Sequence, residues 1–187
     1  MNSNDPANPS LDRPLPNSYW VIPGRLLAGE HPAGTDDTEA RARIDGLDLA
    51  GIDCFVDLTE PGELPEYRHL LPERTQYLRS AMVDSGVPGR VSQTQEVLAA
   101  IRAALARDRH IYVHCRAGIG RTGLVIGCFL AEEERDGGAG LERLNLLWRQ
   151  CERADDWPRV PQTEEQADYI RRWPKLRRTA SPASNGR

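Results

Sequence analysis

The sequence contains a single lysine, Lys175, and no apolar run near the roughly 18 residues expected of a membrane-spanning helix. It also lacks the basic start, apolar stretch and small-residue cleavage site of a secretory signal, which predicts a cytoplasmic protein with no membrane partner. The cysteines are scattered, without the close spacing of a disulfide scaffold or a zinc site. We therefore expect reduced thiols and no bound metal; the cysteines are Cys54, Cys115, Cys128 and Cys151.

A positive net charge is absent as well, since the formal charge of the chain is −4. Phosphate backbones attract proteins through clustered positive charge, so this value argues against nucleic acid as the main partner. Almost all basic residues are arginine, so arginine abundance by itself does not indicate phosphate recognition. Only an arginine at a specific place in a motif carries that meaning.

The chain of 187 residues is long enough for one domain with a substantial core. Residues 1–18 are rich in Asn, Pro and Ser, and residues 176–187 are basic and contain serine. Both segments are predicted to be disordered tails, because they offer little apolar surface to bury. The domain is predicted to span residues 19–175, and we expect a monomer.

Strand-like and helical patterns alternate along this domain, which is typical of an α/β fold. The pattern predicts a central, mostly parallel sheet flanked by helices on both faces. Strands are predicted on both sides of the Pro23-Gly24 turn and at 52–58, 75–83 and 110–114. Two helices are predicted before the last strand, one from Thr35 or Asp36 to Gly51 and one over 93–107, which follows a Ser92/Gln95 capping box. Two more are predicted after it, from Thr122 to a stop at Gly137-Gly138 and from Leu141 to Cys151. A last helix is predicted from Thr163, where Gln166 completes a second capping box, to the residue before Pro174.

The stretch HIYVHCRAGIGRTG, residues 110–123, carries the strongest chemical signal. A strand ending at His114, a glycine-containing loop and a helix opening at Thr122 gather backbone N–H groups at a helix N-terminus, which is a site for anions. A thiol in that field is stabilised as the thiolate, so Cys115 is a candidate nucleophile. Arg121 offers a planar fork that can hold two oxygens of a phosphate group.

This stretch resembles the signature of the protein tyrosine phosphatase superfamily, His-Cys-x-x-Gly-x-x-Arg followed by Ser or Thr and Gly, most closely the compact dual-specificity members of the kinase-associated and cell-cycle kind. The resemblance implies that Cys115 forms a phosphoenzyme, that Arg121 holds the phosphate and that Thr122 eases release of the thiolate. It implies further that His114 helps keep the thiol acidic. The phosphate-binding loop would comprise Arg116, Ala117, Gly118, Ile119, Gly120 and Arg121.

Other interpretations of this stretch remain open at the level of sequence. GIGRTG also fits the dinucleotide pattern G-x-G-x-x-G, but the acidic residue that the pattern requires about 20 positions later would be Glu142, which lies in a helical pattern. His114 could be a core histidine that donates to a backbone carbonyl. Cys54 is the only candidate for a redox partner of Cys115, because Cys128 lies too far along the following helix.

A carboxylic acid should protonate the leaving group, and the candidates are Asp57, Glu60, Glu63, Glu66 and Asp84. The family places an aspartate roughly thirty residues before the cysteine in its compact members, and Asp84 stands 31 residues before Cys115. The segment PQTEEQADYI resembles the glutamine-bearing segment that orients the hydrolytic water. It implies that role for Gln162 and Gln166, although helix capping alone would explain Gln166.

The resemblance implies a phosphatase without cofactor or metal, whose partner is a phosphorylated protein substrate. We expect phosphotyrosine as the first substrate and phosphoserine or phosphothreonine as the second. Phosphoinositide-specific members carry basic side chains at two variable loop positions, whereas here Arg116 is basic and Ile119 is apolar. A small-molecule phosphatase, a phosphate-binding module without turnover and a sulfur-carrying thiol enzyme remain as alternatives.

Overall fold

The computed structural model describes residues 13–34 and 36–180 of the chain. The strands are β1 (Ser18–Ile22), β2 (Leu26–Gly29), β3 (Cys54–Asp57), β4 (Gln76–Arg79) and β5 (Ile111–His114). The helices are α1 (Asp37–Leu49), α2 (Val91–Leu105), α3 (Gly120–Glu133), α4 (Gly137–Trp148) and α5 (Glu164–Ala180), with single 3-10 turns at Arg68–Leu70 and Glu152–Ala154. Asp36 caps α1, while Thr35, the alternative cap, lies outside the described residues.

The five strands form one sheet in the order β1-β2-β5-β3-β4. Only the β1–β2 pair is antiparallel; the other pairs are parallel, which confirms the predicted sheet. His114, the last residue of β5, pairs with Gly29 on one side and Asp57 on the other. Because three parallel strands end together at this edge, the loops that follow them meet above it.

Helices cover both faces of the sheet, as predicted. Along β5, Ile111 and Val113 pack on the side of α2 to α5, while Tyr112 packs on the opposite side with α1. β3 alternates in the same way, with Phe55 on the α1 side. This alternation follows from the two-residue period of a strand, and it places a separate apolar cluster on each face. Within the described residues, no helix combines the length and the apolar character needed to cross a membrane.

The predicted boundaries of the two tails are wrong at their inner ends. Leu15 is buried, and β1 begins at Ser18, so ordered chain precedes residue 19. At the other end, α5 continues through Pro174 to Ala180 instead of stopping, and Leu176 packs against the core. Proline removes one backbone hydrogen bond from a helix; here the burial of Trp173 and Ile170 on the same helix outweighs that loss. Residues 1–12 and 181–187 lie outside the described residues.

Two predicted helix signals also fail, whereas a third is confirmed. α2 begins at Val91 after Arg90, and no side chain caps it, so the Ser92 capping box does not form. Gly137 starts α4, which Asp136 caps, instead of ending α3. In contrast, the capping box of α5 forms, because Gln166 and Thr163 exchange hydrogen bonds of 3.2 Å each.

The contact between α3 and α4 depends on a glycine. A Cβ atom at Gly140 would lie 2.6 Å from the Cα atom of Ala131 on α3, which is closer than atoms can pack. α3 is buried on nearly all sides in the middle of the domain, so it has little freedom to move away. The absence of a side chain at position 140 therefore sets the distance between these helices.

We predict that Gly140→Ala lowers the free energy of unfolding by about 1–3 kcal/mol, because the added methyl group overpacks the α3–α4 contact. Gly46 inside α1 is the control, since its Cβ atom would meet its nearest neighbour, the carbonyl oxygen of Pro14, at an ordinary contact distance of 3.5 Å. Gly46→Ala should stabilise the protein by roughly 0.5–1 kcal/mol through helix propensity. Urea unfolding measures both; equal effects of the two substitutions would contradict this account.

Candidate active site

The loop between β5 and α3 lies directly on the end of β2. Gly118 has a φ of +77°, and a Cβ atom there would stand 2.7 Å from the carbonyl carbon of Gly29. Only glycine satisfies both constraints without strain. The backbone N–H of His31 also donates to the carbonyl of Arg116 at 3.0 Å, which holds the loop from the same side.

Cys115 is buried, and it lines a cavity of about 170 Å³ at the N-terminal end of α3. Asp84 and Gln162, which are distant in sequence, line the same cavity. The structure thus brings together the predicted nucleophile, the predicted acid and one of the two predicted glutamines. The remaining lining residues are Arg116, Ala117, Ile119, Gly120 and Trp157.

Arg121 lies beside this cavity with only 1% of its side chain exposed. Its two terminal nitrogens each donate to one oxygen of Glu63 at 2.6 Å, which is a bidentate ion pair. One terminal nitrogen also lies 3.3 Å from a carboxylate oxygen of Asp84. Among the described residues, the Nε–H group of Arg121 has no hydrogen-bond partner although it is buried.

Burial opposes the charge of Arg121, but the hydrogen bonds to Glu63 and the nearby Cys115 and Asp84 outweigh it and raise the pKa of the guanidinium. The same hydrogen bonds from Arg121 lower the pKa of Glu63 to about 2, although burial acts in the opposite direction. Glu63 was one of the candidate acids. Because it is ionised near neutral pH, it has no proton to donate, and its position indicates that it orients Arg121 instead.

Asp57, another candidate acid, is fully buried at the end of β3. Burial alone would raise its pKa, but the neighbouring His114 and hydrogen bonds from Thr59 and Tyr77 lower it to about 2. Arg79 also donates to it at 3.0 Å. Asp57 is therefore an ionised structural anchor between strands and does not face the cavity that Cys115 lines.

His114 is buried beneath the loop, and burial lowers its pKa to about 4. Its Nδ1 atom lies 3.3 Å from the carbonyl oxygen of Cys115. A carbonyl only accepts, so Nδ1 carries the proton, and Nε2 accepts a hydrogen bond of 2.5 Å from the Tyr67 hydroxyl. The geometry matches the alternative considered from sequence, a neutral core histidine that donates to a backbone carbonyl.

Thr122 and the two glutamines occupy different positions around the loop. The Thr122 hydroxyl is buried and donates to the carbonyl of Gly29 at 3.4 Å. Gln162 is exposed and lines the cavity. Gln166 is buried, and besides its contacts with Thr163 it donates to the carbonyl of Gly86 at 3.0 Å. Gln166 thus ties the loop that carries Asp84 to the start of α5.

Sequence reasoning missed two supports of the loop. Arg153 donates to the carbonyl of Ala117 at 2.9 Å and to a carboxylate oxygen of Glu30 at 3.3 Å. No motif marks Arg153 in the sequence. Tyr67, which fixes the His114 tautomer, lies in a segment interrupted by prolines that gave no regular pattern. The acidic segment directly after the end of β3 did indicate Glu63 as a candidate site residue. Nothing in the sequence indicated that its partner would be Arg121.

Cys54 is not placed to form a disulfide bond with Cys115. It pairs with Ile111 on β5, four residues before Cys115, which corresponds to roughly 13 Å along a strand. Burial raises the pKa of Cys54 to about 11, and all four cysteines are free thiols. Within residues 13–34 and 36–180, no group of three or more His, Cys, Asp or Glu side chains forms a metal-ligand cluster.

Comparison with known sequences gives the family. Residues 15–144 match the family model described as PTP-SAK, a Swiss Army Knife protein DSP-PTPase phosphatase domain. A protein of Invertebrate iridescent virus 3 that is named as a tyrosine phosphatase, 067L, is 38% identical over 94 residues. The match covers 48% of this chain and 38% of the viral protein, so this chain spans well under half the length of that relative.

Solved structures show the same fold at low sequence identity. Tk-PTP in its active form has a TM-score of 0.67 and 23% identity, covering 86% of this chain and 97% of the other. Kinase associated phosphatase with its catalytic-site cysteine replaced by serine has a TM-score of 0.66 and 18% identity, covering 80% and 85%. PTPMT1 in complex with PI(5)P has a TM-score of 0.61 and 17% identity, covering 87% and 99%.

The predicted α/β sheet, the loop between β5 and α3 and the family match agree with one another. The family model covers well over half of the 187 residues. This chain therefore belongs to the protein tyrosine phosphatase superfamily, as a compact domain of the dual-specificity type.

Proposed function

We propose that this protein is a cysteine-dependent phosphatase that hydrolyses phosphotyrosine in proteins, with phosphoserine and phosphothreonine as secondary substrates. The observation that carries the proposal is that Cys115, Asp84 and Gln162 line one cavity, with the buried Arg121 3.3 Å from Asp84. A phosphate oxygen is an acceptor that would satisfy the unpaired Nε–H group of Arg121.

In the first step, the Cys115 sulfur attacks phosphorus, an S–P bond forms and the P–O bond to the leaving group breaks. Asp84 donates its proton to the leaving oxygen; its side chain is 51% exposed, so it can meet a substrate at the mouth of the cavity. In the second step, water attacks phosphorus, a P–O bond forms and the S–P bond breaks, Asp84 takes the proton of the water, and Cys115 leaves as the thiolate while inorganic phosphate is released. In this proposal exposed Gln162 orients that water, and Thr122 assists the departing sulfur.

Arg121 stabilises the transferring group because its fork is oriented in advance. Glu63 accepts one N–H from each terminal nitrogen of Arg121. Nε–H, together with the second N–H of the terminal nitrogen that lies 3.3 Å from Asp84, would donate to a phosphate. A phosphate dianion that entered would replace the weaker contact to Asp84 at 3.3 Å and free that side chain to act as the acid. Binding of the phosphate and release of Asp84 from its contact therefore involve the same terminal nitrogen of Arg121.

The solved complex of PTPMT1 with PI(5)P shows that the same fold binds an inositol lipid. A multiply phosphorylated headgroup needs several basic side chains around the loop. Here the Arg116 guanidinium contacts Glu63 at 3.2 Å, and Ile119 is apolar. This partial neutralisation supports a singly phosphorylated protein side chain over an inositol phosphate.

We predict that Cys115→Ser lowers turnover of p-nitrophenyl phosphate by about 10³-fold or more, because a serine hydroxyl cannot replace the thiolate as nucleophile. The variant should still bind phosphotyrosine, since Arg121 and the backbone donors remain. Steady-state kinetics and calorimetric titration measure these two properties. Turnover that survives the substitution would exclude a phosphocysteine intermediate.

We expect Asp84→Asn to slow hydrolysis of phenyl phosphate by about 10²–10⁴-fold, because a poor leaving group depends on general acid catalysis. Hydrolysis of 2,4-dinitrophenyl phosphate, whose leaving group needs no proton, should change much less. Glu66→Gln is the control, because Glu66 is an exposed candidate acid that pairs with Arg79 at 2.9 Å. Equal losses for both substrates in Asp84→Asn would contradict the acid assignment.

The lowered pKa of Glu63 predicts how the free energy of unfolding depends on pH. Its folded-state pKa of about 2 lies below the unfolded value, so its stabilising contribution is present above about pH 5 and lost as the pH falls towards 2. The difference in free energy of unfolding between wild type and Glu63→Gln should therefore be constant from pH 5 to 7 and shrink below pH 4. Urea unfolding across this range tests it, with exposed Glu165→Gln as the control. A difference that grows on acidification would refute the ion-pair account.

A further inference from the structure

Trp157 lines two cavities. One is the small cavity that contains Cys115, and the other is a larger cavity of about 370 Å³. Gln162 also lines both cavities. The side chain of Trp157 is one of the few large apolar groups that the described residues leave exposed, at 41%. An exposed aromatic ring beside a reaction site is typical of a binding surface.

The backbone of Trp157 is held on both sides. Its N–H donates to the carbonyl of Arg153 at 2.8 Å, and its own carbonyl accepts from the indole N–H of Trp148 at 2.7 Å. Arg153 in turn donates to Ala117 of the phosphate-binding loop. The position of Trp157 relative to Cys115 is therefore fixed by the same residue that supports the loop.

The larger cavity is built in the same rigid manner. Asn145 on α4 both donates to the carbonyl of Val160, at 2.8 Å, and accepts from its N–H, at 3.0 Å, which ties the segment around Val160 to α4. The apolar part of the lining consists of Leu141, Trp157, Pro158, Val160, Pro161 and Ala167. A cavity of this size is large enough for an amino-acid side chain.

The charges around the larger cavity cancel. Two acidic and two basic side chains line it: Asp156, Glu164, Arg159 and Arg171. Arg171 is neutralised within the protein, because it contacts Glu164 at 2.6 Å and Asp168 at 2.5 Å. A site without net charge does not favour the phosphates of an inositol lipid. Its polar lining includes Asn145 and Thr163, and its apolar residues, such as Leu141, Trp157 and Pro158, are the surface on which an uncharged apolar side chain could pack.

We propose that the larger cavity binds an apolar side chain of a protein substrate close to its phosphorylated residue, with Trp157 as the wall between that side chain and the phosphoryl group. The proposal rests on the proposed function, since it extends the catalytic cavity through the shared Trp157 and Gln162. It makes the enzyme selective for phosphopeptides of a particular sequence, beyond recognition of the phosphate itself.

Two variants test the cavity. Ala167→Leu fills it from α5, and Trp157→Ala removes its wall. In wild type, a phosphotyrosine peptide with leucine near the phosphorylated residue should have a kcat/KM at least about 10-fold above that of the same peptide with serine there, as one apolar contact discriminates by this amount. Either variant should abolish the preference, whereas Leu146→Ala, an exposed apolar residue on α4 that lines neither cavity, should retain it.

Binding separates this proposal from the proposed function. The same peptides are titrated against Cys115→Ser and against Cys115→Ser combined with Ala167→Leu, and thermal unfolding confirms that both fold. A leucine preference that the second variant loses supports the cavity even if wild type turns over no substrate, in which case only the phosphatase function fails. Turnover of p-nitrophenyl phosphate without any peptide preference overturns the cavity proposal alone, whereas a preference for PI(5)P over phosphopeptide overturns the proposed protein substrate as well.

Discussion

A buried arginine, held by one carboxylate and left with one unpaired donor, determines how this site works. Removing a guanidinium from water costs several kcal/mol unless a partner compensates, so Arg121 at 1% exposure needs Glu63. The bidentate contact keeps the fork charged and fixed in direction. Because Nε–H has no partner among the described residues, the compensation is incomplete at that nitrogen. Under the proposed function, a phosphate oxygen supplies the missing acceptor.

The topology of the sheet explains why these groups meet. β2, β5 and β3 are parallel neighbours that end at the same edge, so Gly29, His114 and Asp57 lie side by side. The segment that leaves β3 delivers Glu63, and the one that leaves β5 delivers the loop with Cys115. The Asp84 loop reaches the same point because Gln166 on α5 holds Gly86. Asp84 and Gln162, which are 78 positions apart in the sequence, thus line one cavity with Cys115.

The order of elements and the centre of the site were predictable because their signals are local. A strand, a glycine-containing loop and a helix over 110–123 require no knowledge of distant residues. The structural roles of Glu63 and Arg153 could not be predicted, because they depend on partners far away in the sequence: the Arg121 side chain for Glu63 and the Ala117 carbonyl for Arg153. The continuation of α5 beyond Pro174 was missed for the same reason, since tertiary burial of Trp173 outweighs the local preference of proline. Gln166 shows the opposite case, in which a correct local prediction of capping coexists with a distant contact to Gly86.

The central claim is that a phosphoryl group binds against Cys115 by completing the hydrogen bonding of Arg121. A crystal structure of the protein with orthovanadate tests it most directly, because vanadate adopts the five-coordinate geometry of phosphoryl transfer. The account predicts vanadium bonded to the Cys115 sulfur, an equatorial oxygen accepting from Arg121 Nε–H, and Glu63 still bound to both terminal nitrogens. Vanadate held elsewhere, or vanadate that displaces Glu63 and leaves Nε–H unpaired, would contradict it.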